Sequence, residues 1–220
     1  MFLKASIAVA LALLALAGAV AARAYRRERS SLAPRPHPVG RPGSTELQDV
    51  KDVALRGATG AAVRGLLLPS RNGAAIVLGH GSSADRAQLE PQAAALARRG
   101  FGVLLFDWPG HGESDGVPAC GETEREAFRS ALGLLAASHG VNRIGALGFS
   151  LGAWIVAQVA PTDSRVGAVV LEGAPSDLVQ QIRFEYRRWG PLAQWPALLA
   201  TRGRGIRDGP SPLAALPCLA

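Results

Sequence analysis

Gly148-Phe-Ser150-Leu-Gly152 is the stretch whose residue types and spacing fit chemistry most directly. It joins a short apolar run, 144–147, to a run of helical periodicity that begins at Leu151. The chain therefore has to turn from strand to helix within about two residues, with Ser150 at the apex. Such a turn lifts the serine hydroxyl clear of the backbone. Gly148 and Gly152 lie where a Cβ would meet the crossing chain. The first N–H groups of the following helix, and its dipole, point at the space above Ser150 and favour negative charge there. Nucleophilic attack on a carbonyl, with the oxyanion held at the helix start, is the chemistry this arrangement suits. A second match to the same pattern, Gly112-Glu-Ser114-Asp-Gly116, follows Pro109-Gly-His-Gly and has neither strand before it nor helix after it. Ser114 reads as a loop residue.

The elements around Ser150 alternate. Residues 51–55 and 61–68 read as a hairpin, 74–78 as a fully apolar strand, 86–99 as a helix closed by Gly100, and 101–106 as another buried strand. A helix over 122–138, the elbow strand and helix, and an apolar strand over 166–171 follow. Alternation of this kind predicts an α/β fold, a mostly parallel twisted sheet with helices on both faces. The globular part spans residues 47–220.

Three loops carry a family likeness. His80-Gly-Ser82-Ser follows the strand over 74–78, Asp107-Trp-Pro-Gly-His111-Gly-Glu-Ser114 follows the strand ending at Phe106, and the elbow comes third. Their order and spacing resemble the α/β-hydrolase superfamily, in particular its serine-aminopeptidase-like (S33) and lysophospholipase-like members. The resemblance covers residues 50–220. It implies an acyl-enzyme on Ser150, an oxyanion hole made by the backbone N–H groups of Ser82 and Leu151, and structural roles for Asp107 and His111. A His-Gly turn after a strand end is suited to facing backbone donors toward a carbonyl oxygen. The likeness departs at the C-terminal side. The family draws its acid and its histidine from later loops, and residues 208–220 resemble the approach to the next strand. None of His37, His80, His111 and His139 follows Ser150. The expectation is a shortened hydrolase without its base. Glu172, after the strand over 166–171, is a possible acid, and equally a structural loop residue. Residues 178–207 fit the helical cap of the superfamily. Ile182, Phe184, Tyr186, Trp189, Leu192, Trp195, Leu198 and Leu199 would line an apolar acyl pocket, or else pack as ordinary helix stripes with Arg183, Arg187 and Arg188 in solvent.

The N-terminus is of another kind. Residues 5–22 carry Ser6 as their one polar side chain, and Arg23, Arg26, Arg27 and Arg29 follow. At 1.5 Å per residue such a helix is about 27 Å long, marginal for a bilayer core of about 30 Å. Segment 1–29 is read as a membrane anchor, with a signal peptide cleaved near Ala19-Val-Ala21 as the alternative. Residues 30–46 form a Pro-rich linker in which His37 is expected to be solvated and without function. The net charge of +7 does not point to nucleic acid. Residues 1–45 hold seven Lys and Arg against one acid, whereas 46–220 hold 17 against 16. Cys120 and Cys218 fit neither a disulfide framework nor a zinc spacing, and no cofactor or metal is implied. Two functions remain: a membrane-anchored serine hydrolase acting on an apolar ester, thioester or amide, and a non-catalytic remnant or binding module with a hydrolase-like pocket.

Overall fold

The structure is a computed structural model, and it describes residues 2–31, 33, 35–57, 60–119 and 121–203. Cys120, Cys218 and the stretch 208–220 lie outside the described residues. The chain divides into two compact units, Met1–Leu32 with Asp177–Arg207, and Ala33–Ser176 with Asp208–Ala220.

The larger unit holds strands β1 (Arg35–Pro36), β2 (Lys51–Arg56), β3 (Ala62–Leu68), β4 (Ala74–Gly79), β5 (Gly102–Phe106), β6 (His111–Gly112), β7 (Arg143–Phe149) and β8 (Val166–Glu172). Its helices are α2 (Glu90–Arg98), α3 (Glu122–Ala136) and α4 (Leu151–Val159). Six strands form one sheet in the order β2-β3-β5-β4-β7-β8. The β2–β3 and β3–β5 pairs are antiparallel; β5–β4, β4–β7 and β7–β8 are parallel. The β5 sequence GVLLF is buried at every residue, as a central strand covered on both faces requires. Val103 and Leu105 join Leu78, Leu89, Ala93 and Ala97 in the core beneath α2. Alternation turns Leu104 and Phe106 to the opposite face, where α3 buries Phe128, Leu132 and Leu135.

The expected helix over 86–99 is split. Arg86–Leu89 is a single 3-10 turn capped by Asp85, whose carboxylate accepts from Ala87 N at 2.8 Å. The α-helix starts only at Glu90. Pro91 explains the break, because it has no N–H to donate to Ala87 O four residues back.

The smaller unit contains α1 (Phe2–Ser31), α5 (Leu178–Glu185) and α6 (Pro191–Arg202). Residues 6–16 of α1 are exposed along their whole length. From Ala17 onward a stripe of Ala17, Val20, Ala21, Ala24, Glu28 and Ser31 is covered, at the three- and four-residue spacing of one helix face. Val20 and Ala24 pack with Ile182, Tyr186, Ala193, Ala197 and Leu198. Tyr186 O–H donates to Glu28 at 3.1 Å, and the Arg27 guanidinium lies 5.6 Å from the Tyr186 ring centre. The segment expected as a cap thus groups with the N-terminal helix in one unit. Ser6–Ser31 is long and apolar enough to cross a membrane, with a mean hydropathy of 2.2 and 6% of its apolar window buried.

Candidate active site

Ser150 sits between β7 and α4 with φ 51° and ψ −110°. Among the described residues it is the one non-glycine with positive φ. That conformation costs a side-chain-bearing residue of order 1–3 kcal/mol, so the surroundings must hold it. Three contacts do so. Ser150 N donates to Glu172 O at 2.8 Å, Gly152 N donates to His80 O at 3.1 Å, and Trp154 N donates to Ser150 O at 2.9 Å. A Cβ on Gly148 would collide with the Gly152–Ala153 backbone, and one on Gly152 with the Gly79 carbonyl. Strand β7 can therefore turn into α4 with α4 lying against the end of β4 only because both positions are glycine. The Ser150 hydroxyl makes no hydrogen bond to the described residues and does not cap α4.

The register places the remaining candidates. Gly79 pairs with Gly148, Gly148 with Leu171, and Phe149 with Glu172. The loop beginning at His80, the elbow and Glu172 hence share the C-terminal edge of adjacent parallel strands, where ligands of open α/β sheets bind. The Gly81–Ser82 peptide is fixed by its carbonyl. Gly81 O accepts from His80 Nδ1 at 2.8 Å and from Ala84 N at 3.3 Å. In a trans peptide the N–H points opposite to the C=O, so pinning Gly81 O aims the Ser82 N–H. Gly81 N is itself spent on Gln88 Oε1 at 2.8 Å. The Leu151 N–H, at the first position of α4, has no partner within the helix. Ser82 and Leu151 are thereby left with backbone donors not consumed by the bonds around them. The Glu172 carboxylate is exposed and unpartnered among the described residues; the residue meets Ser150 through its backbone oxygen.

The histidines near the elbow are committed elsewhere. His80 is buried, and burial pushes its imidazole down to about 3, so the ring is neutral. Its Nδ1 donates to Gly81 O, and its Nε2 accepts from Trp108 N at 3.0 Å. The His80 carbonyl takes the Trp108 indole N–H at 2.7 Å. Each ring nitrogen of His111 faces a carbonyl, Pro109 O at 3.1 Å and Ser82 O at 2.9 Å. His139 is exposed in the loop that leads into β7, at the opposite edge of the sheet. Ser114 is a buried loop residue: its hydroxyl donates to Asp107 O and accepts from Arg64 N, both at 2.8 Å.

Two features were missed by sequence reasoning. The first is Arg86, buried with Asp107. Its Nη1 lies 2.5 Å from Asp107 Oδ2, its backbone N donates to Asp107 Oδ1 at 2.7 Å, and Nη2 reaches Glu113 at 2.6 Å. The pair ties the His80 loop to the His111 loop. The second is that the linker, exposed as expected, is nonetheless docked in part. β1 pairs in parallel with β6, so that Arg35 N donates to Gly110 O and His37 N to Gly112 O, each at 2.7 Å. His37 is not free: Nε2 meets Asp85 at 2.9 Å, and Nδ1 meets Arg35 O at 2.7 Å. The Asp85 carboxylate raises the His37 imidazole above its ordinary range. No group of three or more metal-ligating side chains occurs among the described residues.

With that geometry in hand, the chain can be set beside known proteins. The sequence profile of the alpha/beta hydrolase fold matches residues 74–196. No curated protein matches the chain. Among solved structures, the Pyrococcus furiosus esterase Pf2001 is similar at 19% identity and a TM-score of 0.68, over 85% of this chain and 73% of that one. An esterase (EaEST) from Exiguobacterium antarcticum is similar at 19% identity and 0.55, over 77% and 78%. A hypothetical protein from Pseudomonas aeruginosa is 26% identical with a TM-score of 0.59, over 73% of this chain and 53% of that one.

Proposed function

The chain belongs to the α/β-hydrolase fold family, and on that premise we propose that it is a membrane-anchored serine hydrolase that cleaves an ester, thioester or amide through an acyl-enzyme on Ser150. The observation that carries this reading is the positive φ of Ser150, a strain held by three backbone hydrogen bonds and two glycine contacts. A merely structural strand-to-helix turn has no need of it. Ser150 Oγ attacks the carbonyl carbon, and the Ser82 and Leu151 N–H groups receive the developing oxyanion. The ester class is suggested by the likeness to two esterases.

The base is the weak point of the constellation. His37, His80 and His111 commit both ring nitrogens to other partners, and His139 stands at the far edge. A serine hydroxyl without a base is a poor nucleophile at neutral pH. The second reading, a hydrolase-like binding module, uses the same elbow without a base. A fluorophosphonate probe separates the two. Slow labelling that imidazole accelerates and Ser150→Ala abolishes supports the hydrolase reading. Labelling that persists in Ser150→Ala removes Ser150, and no labelling with imidazole present favours the binding module. Rapid labelling without imidazole would return His80 or His111 to candidacy as the base.

Anchoring is supported by the covered stripe on α1. Cleavage near Ala21 would discard Ala17, Val20 and Ala21, half of the face that packs in the smaller unit. Carbonate-washed membranes should retain the full chain; a soluble species starting near residue 22 would sink the anchor reading.

A further inference from the structure

Helix α6 is apolar on faces that a water-exposed helix keeps polar. Ala193, Ala197, Ala200 and Thr201 are buried. Leu192, Trp195 and Leu199, at i, i+3 and i+7, form a stripe on the exposed side; Trp195 is 57% and Leu199 60% exposed. Arg202 continues that stripe by three residues. A helix apolar nearly all round lies either in a core or in lipid. Just before it, Phe184 and Trp189 are each 60% exposed. The Arg187 guanidinium sits 4.1 Å from the Phe184 ring centre.

The position of α1 says what covers this face. The apolar run of α1 ends at residue 22, but its packing stripe begins at Ala17. Residues 17–22, about 9 Å of helix, are at once part of the membrane-spanning run and part of the packed face. A bilayer that covers the run therefore reaches the helices packed on it. That overlap matches the roughly 5–10 Å to which an interfacial helix sinks its apolar face. Charge points the same way. Residues 1–32 and 177–207 together carry eleven Lys and Arg against three acids, while the rest of the chain carries thirteen against fourteen. Tryptophan and arginine side by side are the residues of the headgroup region.

We propose that α6 lies in the membrane interface, with Leu192, Trp195 and Leu199 inserted among the acyl chains of an anionic phospholipid bilayer and the arginines of residues 183–202 at its headgroups. The proposal rests on the reading of α1 as a bilayer span, and the test keeps the two apart. The uncleaved chain is reconstituted into phosphatidylcholine vesicles containing phosphatidylglycerol, with and without bromine on the acyl chains. Tryptophan emission is then compared in the parent, W195F and W189F. Trp108 and Trp154 are buried and serve as the unquenched background.

Brominated lipid should quench the parent, and W195F should remove about half or more of the quenched emission. The effect should weaken when phosphatidylglycerol is left out. Quenching that is absent, or unchanged in W195F, overturns the proposal. Trp195 shielded from bromine and from aqueous acrylamide alike would assign the face to a second copy, and relief of quenching by duplex DNA would assign it to nucleic acid; either overturns it. Carbonate extraction on the same vesicles reports on α1 separately. A chain that resists extraction while Trp195 stays unquenched defeats the interfacial helix alone. A chain that is stripped while Trp195 is quenched defeats the anchor alone.

Discussion

His80 shows how one side chain can shape the candidate site from behind its backbone donors. Its neutral ring donates to Gly81 O and accepts from Trp108 N, and so aims the Ser82 N–H. Holding it neutral has a thermodynamic signature. Its pKa falls to about 3 in the fold, from the 6.5 of an exposed ring. Below pH 6.5 the unfolded chain binds a proton that the folded chain refuses, so stability present at neutral pH is lost as the pH falls toward 3. The slope approaches about 1.4 kcal/mol per pH unit. In urea titrations between these values, His80→Gln should flatten the slope while lowering stability at neutral pH. An unchanged slope would mean that His80 titrates normally. Gly152→Ala acts by contact instead. Its new Cβ meets the Gly79 carbonyl, and two backbone segments must part to admit it. Overpacking of this kind costs about 1–3 kcal/mol. The denaturation midpoint should drop and Ser150 labelling should fall with it; a variant of parental stability would contradict the close approach of α4 to β4.

At the scale of elements, what could be read from the sequence follows from burial on two sides. β4 and β5 announce themselves as short apolar runs because parallel central strands are covered on both faces. The elbow was legible because strand, glycines and helix meet with no residue to spare. The linker was not. Proline and polar residues signal the absence of a core, and they say nothing of docking. β1 and β6 are two residues each, too short for any period to appear. The one local hint is Asp85, which caps the 3-10 turn and also receives His37. Since Asp85 raises the His37 pKa in the fold, the contact stabilises below pH 6.5 and fades as the pH rises through the raised value. Intrinsic-rate-corrected protection of the Arg35 and His37 amides should decrease over that window and not in His37→Ala. The place of β8 is equally physical. It pairs with β7 alone among the described residues, and Val170 is 56% exposed. Unpaired edges exchange and associate readily. Amides of residues 166–171 should exchange faster than those of β4; equal protection would mean that the outer side of β8 is covered in solution.

The whole chain divides its physics between the two units. The α/β unit carries the elbow and almost no net charge, and the helical unit carries the apolar run and the positive excess. The helical unit also depends on its first helix. α5 and α6 have eight and twelve residues, lengths at which isolated helices are marginal in water. What holds them is the cluster of Ile182, Tyr186, Ala193, Ala197 and Leu198 against Val20 and Ala24 of α1, together with the Tyr186–Glu28 hydrogen bond. Removing residues 2–31 takes away one wall of that cluster and leaves Tyr186 without its partner. Burial of each larger apolar side chain contributes about 1.5–3 kcal/mol, so α5 and α6 should unravel rather than stand alone. Their loss should be local, because the sheet and α2–α4 form a separate unit with its own core. Trypsin should then cut the deletion variant first at Arg183, Arg187 or Arg188, while residues 47–176 resist. Far-UV circular dichroism should show more helix lost than the deleted residues account for. Resistance at those three arginines, with a loss confined to the deleted helix, would show that α5 and α6 fold without α1.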